Sequence, residues 1–365
     1  MEILPGDRLL IGLIQLSSRL AVPEYGDLVM YDTKTGHQIW NTSRPDLENG
    51  SYALLATRPL IVIVGENLEK AYYMGIDPAN GAKMWELETK KPLALAEDNE
   101  LLVLLAPDKK SSELKAIKLA DGTVSWTLKF AKAKAAELIN DRSLIFHGGF
   151  LYLANNDLYK ISPINGEVLW QKPLPQDDAA TSITPAGDTL LVWDMTSLSA
   201  VSCGTGKGMW GPRLVGANLA GVYAPEIAKG KIFALQTSSS SYPSIHGIDG
   251  KTGNTFWVHK GVGNIVSSLL FDRDRLYFAT STGFRQLDTV TGKTIVETKM
   301  PQSMSGTPDL PDRVMSRGNT IIVAKEKNGV IAFAKDKDQI LWYQHVGGNY
   351  EFARFWYATR KKVLA

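Results

Sequence analysis

The sequence predicts an all-β protein, a single eight-bladed β-propeller spanning residues 1–365 and built from four-stranded antiparallel blades. Three observations carry that expectation. A phrase of the form apolar-x-Asp-x-x-Thr-Gly-x-x-x-Trp recurs from end to end, and repeats of 40–50 residues are the mark of propellers and solenoids. A short apolar run of strand length precedes every copy. No stretch carries the 3.6-residue periodicity of a substantial helix; only 131–138 tempts, and it falls where a blade-to-blade connection belongs.

Eight copies of the phrase can be counted: MYDTKTGHQIW, GIDPANGAKMW, IKLADGTVSW, ISPINGEVLW, VSCGTGKGMW, GIDGKTGNTFW, QLDTVTGKTIV and FAKDKDQILW. Their turn positions are Gly36, Gly81, Gly122, Gly166, Gly206, Gly253, Gly292 and Asp338, at intervals of 45, 41, 44, 40, 47, 39 and 46 residues. Glycine and aspartate both tolerate the left-handed backbone of a tight hairpin, so each phrase reads as a turn followed by an outer strand. The phrase ends on Trp40, Trp85, Trp126, Trp170, Trp210, Trp257, Val296 and Trp342.

Upstream lie RLLIGLIQL, PLIVIVG, ELLVLLA, FLYLA, TLLVW, KIFAL, RLYFA and TIIVA. A strand packed on both faces, between neighbouring blades, has this near-continuous apolar character instead of polar alternation. These are the second strands. Before them come inner-strand candidates at 52–56, 182–185, 266–271 and 350–355. The chain starts near a second strand and finishes on a first-strand candidate beginning at Asn349, so pairing of N- and C-terminal strands within one blade is expected to close the ring and remove its free edges.

Composition excludes several function classes. Forty Lys and Arg stand against 38 acidic residues, a net charge of +2 that supplies no field for nucleic acid or an anionic membrane. The basic clusters at 132–134 and 360–362 are too small to change this, and no nucleic-acid partner is expected. Cys203 is the only cysteine, so neither an intramolecular disulfide, a four-thiolate zinc site nor a CxxC redox pair is available. The longest apolar runs, 60–64 and 101–106, fall far short of the roughly 20 residues of a spanning helix. The apolar stretch 9–16 sits in the place of a blade strand and follows Glu2 and Asp7 in place of lysines, so no signal peptide is read there. That leaves a cytoplasmic protein, or a processed form in the periplasm or cell envelope.

No catalytic constellation is legible. His37, His147, His246, His259 and His345 show no metal-ligand spacing. GTGKG at 204–208 lacks the form and following helix of a phosphate loop, and no GxSxG elbow occurs. Asp32, Asp77, Asp249 and Asp288 recur at one repeat position, but on different blades they cannot converge on an ion, and turn hydrogen bonding is their expected role.

The recurring Gly-x-x-x-Trp phrase resembles the repeat of the quinoprotein-like propeller superfamily, the pyrroloquinoline quinone repeat, across nearly the whole chain. That superfamily includes quinoprotein alcohol dehydrogenases and BamB-like propellers, and the present chain is nearest the latter in size and in lacking cofactor residues. The resemblance implies an eight-bladed fold. The dehydrogenases cover their quinone with a disulfide between adjacent cysteines and hold calcium with acidic and Asn side chains; the lone Cys203 matches neither, so no cofactor, no metal and no catalytic residue are expected. The tryptophans Trp40, Trp85, Trp126, Trp170, Trp210, Trp257 and Trp342 are expected to form a ring of inter-blade packing contacts, not a ligand platform.

The BamB branch implies a non-catalytic scaffold that binds another protein through a loop face, as a monomeric propeller or a subunit of a larger complex. The alternative is a quinone- or small-ligand-binding propeller, a degenerate dehydrogenase, with its ligand at the axial mouth. Strand order places the blade-to-blade and second-to-third-strand loops on one face and the glycine turns on the other. The loop face is the variable one, and diversity on a rigid scaffold is how propellers acquire partners. Its candidate binding residues are Asp177, Asp178, Arg213, Asn218, Tyr242, Asn264, Asn349 and Tyr350. Two further excursions, 108–113 and 238–246, read either as display loops or as plain solvated loops.

Overall fold

The computed structural model describes residues 2–4, 8–12, 15–16, 23–24, 27–32, 35, 37–43, 51–56, 61–66, 70–98, 100–107, 111–130, 139, 142–155, 157–174, 181–194, 197–214, 224–238, 241–260, 265, 267–301, 313–325 and 329–344. Eight four-stranded antiparallel sheets follow one another along the chain, and no helix occurs among the described residues. They are the blades of an eight-bladed propeller. Blade 2, for example, takes Ser51–Ala56, Ile61–Glu66, Lys70–Ile76 and Lys83–Lys90 in sequential order, and blade 3 takes Ala94–Glu97, Leu101–Pro107, Ser112–Lys118 and Val124–Phe130. First strands lie against first strands: Ala94–Glu97 touches Leu144–His147 of blade 4, which touches Ser182–Ala186 of blade 5, and Leu270–Asp272 of blade 7 touches both Glu226–Ala228 of blade 6 and Arg313–Arg317 of blade 8. These strands therefore run nearest the axis, and the Trp-bearing strands form the rim.

The apolar second strands do what their composition predicts. In Leu101–Pro107, Leu102 and Leu104 pack toward blade 2 with Tyr73 and Trp85, whereas Val103 and Leu105 pack toward blade 4 with Leu151 and Leu153. Alternate side chains thus enter different seams, and both faces of the strand are buried. Among the described residues the core is six separate clusters, each wedged between two neighbouring blades, running from the blade 2/3 seam to the blade 7/8 seam.

The repeated aspartates act locally. The Thr35, Thr252 and Thr291 backbone N–H groups each donate to the aspartate three residues earlier, Asp32, Asp249 and Asp288, at 2.8 Å, and the same threonine hydroxyls donate as well at 2.8–3.0 Å. Ala79 N–H donates to Asp77 at 2.8 Å. Thr252 bonding lowers the Asp249 carboxyl, and N–H donation by Thr291 lowers that of Asp288, as expected for carboxylates solvated by a turn.

The structure departs from the sequence expectations in four places. Blade 1 has an inner strand that the sequence did not suggest, Glu2–Leu4, paired with Arg8–Gly12; the closing strand expected from Asn349 lies outside the described residues. Three residues are too short to show alternation, which is why the strand was not visible in sequence. The 238–246 excursion is no loop, because Lys231–Ser238 and Ser241–Asp249 continue as paired strands past a register shift, Ser238 opposite Ser241. Ser112 and Glu113 of the other excursion already belong to a strand. Finally, Asp338 does not share the positive φ of its glycine counterparts, such as Gly122 at 71°.

Candidate interaction face

In six blades the third residue of the outer strand is a tryptophan that reaches forward, not back to its own glycine. Trp85 Nε1 donates to Leu119 O at 2.6 Å in blade 3, and its ring covers Gly122, where an added Cβ would overlap the indole. Gly122 sits at φ 71°, so the position is closed to other residues twice over, by backbone and by space. The same pair of contacts recurs for Trp40 with Pro78 O and Gly81, Trp126 with Pro163 O and Gly166, Trp170 with Cys203 O and Gly206, Trp210 with Gly250 O and Gly253, and Trp257 with Thr289 O and Gly292, the indole N–H donating at 2.7–3.2 Å. Six of the seven expected tryptophans therefore dock between blades. Trp342 does not: it is 49% exposed, against 7% for Trp85.

These docks hold the face that carries the glycine turns. On it, between first and second strands, Lys229 of blade 6 pairs with Asp274 of blade 7 at 2.7 Å, both at positive φ (51° and 62°), and Arg273 Nη1 donates to Asn319 Oδ1 of blade 8 at 3.4 Å. His147 Nε2 bonds Gly187 O at 2.6 Å between blades 4 and 5. Lys335 of blade 8, 2% exposed, donates to Asp272 of blade 7, to Ser316 Oγ at 2.6 Å and to Gly318 O at 2.6 Å. Every one of these groups is committed to a neighbouring blade.

On the opposite face, among the described residues, two contacts at the inner end link neighbouring blades. The Asn155 amide, fully buried, donates to Ser112 Oγ of blade 3 at 3.0 Å, and Ser143 Oγ donates to Thr181 O of blade 5 at 2.8 Å. Of the candidate binding residues, Asp177, Asp178, Asn218, Asn264, Asn349 and Tyr350 lie outside the described residues, and Tyr242 lies in the strand Ser241–Asp249. Arg213 is exposed on the outer strand Gly208–Leu214, where its Nη2 donates to Asn254 Oδ1 at 3.3 Å. It is drawn toward the blade 6 glycine turn at the rim.

Sequence reasoning missed Glu226, on the inner strand of blade 6. One carboxylate oxygen accepts the Phe271 N–H of blade 7 at 3.0 Å; burial, only partly opposed by that bond, pushes its pKa up to about 7. An inner-strand glutamate follows no motif, and only the fold brings it against the next blade. Among the described residues no three His, Cys, Asp or Glu lie together in a way that could hold a metal. Cys203, the sole cysteine, is buried in a blade 5 turn whose carbonyl receives Trp170, so the residues present do not fit a quinone of the dehydrogenase kind. No helix among the described residues is long and apolar enough to cross a membrane.

Eight four-stranded blades, six of them joined to the next by a forward-docking Trp and Gly, define a propeller of the quinoprotein-like, pyrroloquinoline quinone repeat class. Within it, a family model described as "Outer membrane protein assembly factor BamB" matches residues 24–190 and again 179–348. The chain belongs to that family. Among solved structures, BamB from Moraxella catarrhalis is similar at 15% identity over 81% of this chain and 88% of its own, with a TM-score of 0.55. AztD from Citrobacter koseri is similar at 13% identity over 93% and 95%, with a TM-score of 0.53. A europium-containing methanol dehydrogenase is similar at 8% identity over 88% and 81%, with a TM-score of 0.56. At these identities the likeness shows the fold alone. A comparison with curated protein sequences finds no match.

Proposed function

We propose that this propeller is a non-catalytic binding module of the cell envelope that presents its loop face to another protein, as the family description of an assembly factor suggests. The observation that supports this reading is the asymmetry between the faces. The glycine-turn face carries six indole docks and the buried Lys335 contacts to neighbouring blades, whereas the loop sequences diverge from repeat to repeat. A rigid scaffold carrying divergent loops is a recognition surface. The alternative is a quinone- or small-ligand-binding propeller, and the lone cysteine cannot supply the adjacent-cysteine disulfide of the dehydrogenases.

The test uses the whole chain, immobilised and exposed to an envelope extract, with two sets of charge reversals. Asp177→Lys, Asp178→Lys and Arg213→Glu alter the loop face and its rim; Lys251→Glu and Lys293→Glu alter exposed positions of the glycine turns. Loss of the same captured protein with the first set only, at unchanged melting temperature, is the expected outcome. Capture that survives the first set, or fails with the second, overturns the assignment.

A further inference from the structure

Lys160 of blade 4 stands where the repeat keeps charge out. In strand register it faces Trp170, and opposite the other six tryptophans stand Met30, Gly75, Ala116, Ala200, Gly247 and Ala332. Lys160 is nonetheless buried, at 9% exposure. Its ammonium lies 3.7 Å from the Phe150 ring centroid and 5.9 Å from that of Tyr152, and both rings belong to the apolar seam between blades 4 and 5. Burial pushes the Cys203 thiol of blade 5 up and the Lys160 charge opposes that rise, so the ammonium's field crosses the seam.

Among the described residues this ammonium makes no hydrogen bond and no ion pair. The contrast is Lys335, the other buried lysine among them, whose ammonium donates to Asp272, Ser316 Oγ and Gly318 O. Ring faces attract a cation but leave its N–H donors without an oxygen. A charge taken out of water and left unpaired is costly, and methionine or alanine serves at this position in blades 1 and 3. Departures from a local rule with no compensating contact concentrate at functional sites. The ammonium nitrogen is not among the fully enclosed polar atoms, so an anion can reach it.

The surroundings narrow that anion. One buried ammonium balances one negative charge, and the seam is walled by rings and aliphatic side chains, including Tyr152, Leu190 and Val201. A carboxylate with an apolar body meets both conditions, whereas the second charge and further oxygens of a phosphate would go unmet. We propose that Lys160 is the anion-binding group of a small-molecule site at the glycine-turn end of the blade 4/5 seam, which takes a monocarboxylate whose apolar body packs beside the Phe150 ring. The site lies away from the loop face and stands independently of the protein partner proposed above.

Calorimetric titrations and thermal melts of the full chain test this with sodium benzoate and sodium hexanoate as probes, benzamide as the neutral counterpart and inorganic phosphate as the competing anion. Both carboxylates should bind saturably and raise the melting temperature; benzamide and phosphate should do neither. Lys160→Met, which copies blade 1, should weaken benzoate binding by about tenfold to a hundredfold, and Lys160→Ala, which copies blades 3 and 5, replaces it if the methionine variant does not fold. N-acetylphenylalanine against its amide separates the sources of the carboxylate: tight binding of the free-carboxyl form marks a polypeptide terminus, its exclusion a free acid. In amide NMR spectra of the wild type, benzoate-induced shifts should centre on Phe150, Tyr152 and Lys160. Shifts centred elsewhere, undiminished benzoate binding by the variant, an equal response to benzamide or phosphate, or no response to either carboxylate would overturn the proposal.

Discussion

The seam between blades 2 and 3 and the seam between blades 7 and 8 solve one packing problem in different ways. At the first, Trp85 lies over Gly75 on its own blade and Gly122 on the next, and its N–H is taken by Leu119 O. At the second, Val296 stands for the tryptophan, Gln286 for the glycine opposite it, and Asp338 for the receiving glycine. Exchanges at one seam go together: the indole is absent and a side chain occupies the receiving glycine's place, while the residue opposite the indole varies even among docked blades, Lys160 facing Trp170 and Met30 facing Trp40. Support shifts toward the axis, where Phe284 stacks on Phe333 at 4.5 Å and buried Lys335 spans to Asp272. A docked seam is held by shape at the rim; the exchanged seam is held by charge and ring stacking further in.

The largest expected effect is at the docked type. Trp85→Ala removes a buried indole and its hydrogen bond, and should lower unfolding free energy by about 3–5 kcal/mol in urea titrations. A loss under about 1 kcal/mol would mean that the rim contact contributes little. Next comes Lys335→Met, which leaves Asp272 facing a seam without its cation and should destabilise by about 2–4 kcal/mol. Because Asp272 keeps Ser316 Oγ at 3.0 Å and some solvent contact, the lower part of that range is expected.

Converting one seam into the other gives a sharper test. Val296→Trp alone should overpack against Gln286 and Asp338 and lower stability by about 1–3 kcal/mol. Adding Gln286→Gly and Asp338→Gly should restore most of the loss, and calorimetry showing three independent penalties would refute the idea of a coupled exchange. The smallest effect belongs to Glu226, within the docked blade 6/7 seam. Its folded pKa is raised from 4.5 to about 7, so the stability it contributes is fully present below 4.5 and is lost as pH rises through about 7. Wild-type protein should therefore weaken by on the order of 1–2 kcal/mol between about pH 6 and about pH 8, a fall that Glu226→Gln should abolish.

The blade count was legible because the Gly-x-x-x-Trp phrase joins a turn and a strand that are adjacent in sequence. The destination of each indole was not, since it lies on a different repeat, 34 residues ahead for Trp85. Even so, a trace was present: Val296 and Asp338 are the two departures from the phrase, and they fall in successive repeats, as a forward dock requires. Glu226, Lys335 and Asp272 left no such trace, because a buried polar contact between blades depends on where the ring sets its strands and follows no local pattern. The candidate loop face stayed least legible for the same reason that it suits recognition. Its loop sequences diverge from repeat to repeat, and Arg213, placed there by position alone, turns to Asn254 at the rim.

The forward reach of each indole also bears on how the protein is born. A ribosome adds roughly 5–20 residues per second, so a freshly made outer strand waits several seconds for the turn that will cover its tryptophan. Each blade emerges with an uncovered aromatic side chain and acquires its lid only when its successor does. Assembly is thereby given a direction, from first repeat to last, and the nascent chain carries one sticky patch at its growing end throughout synthesis.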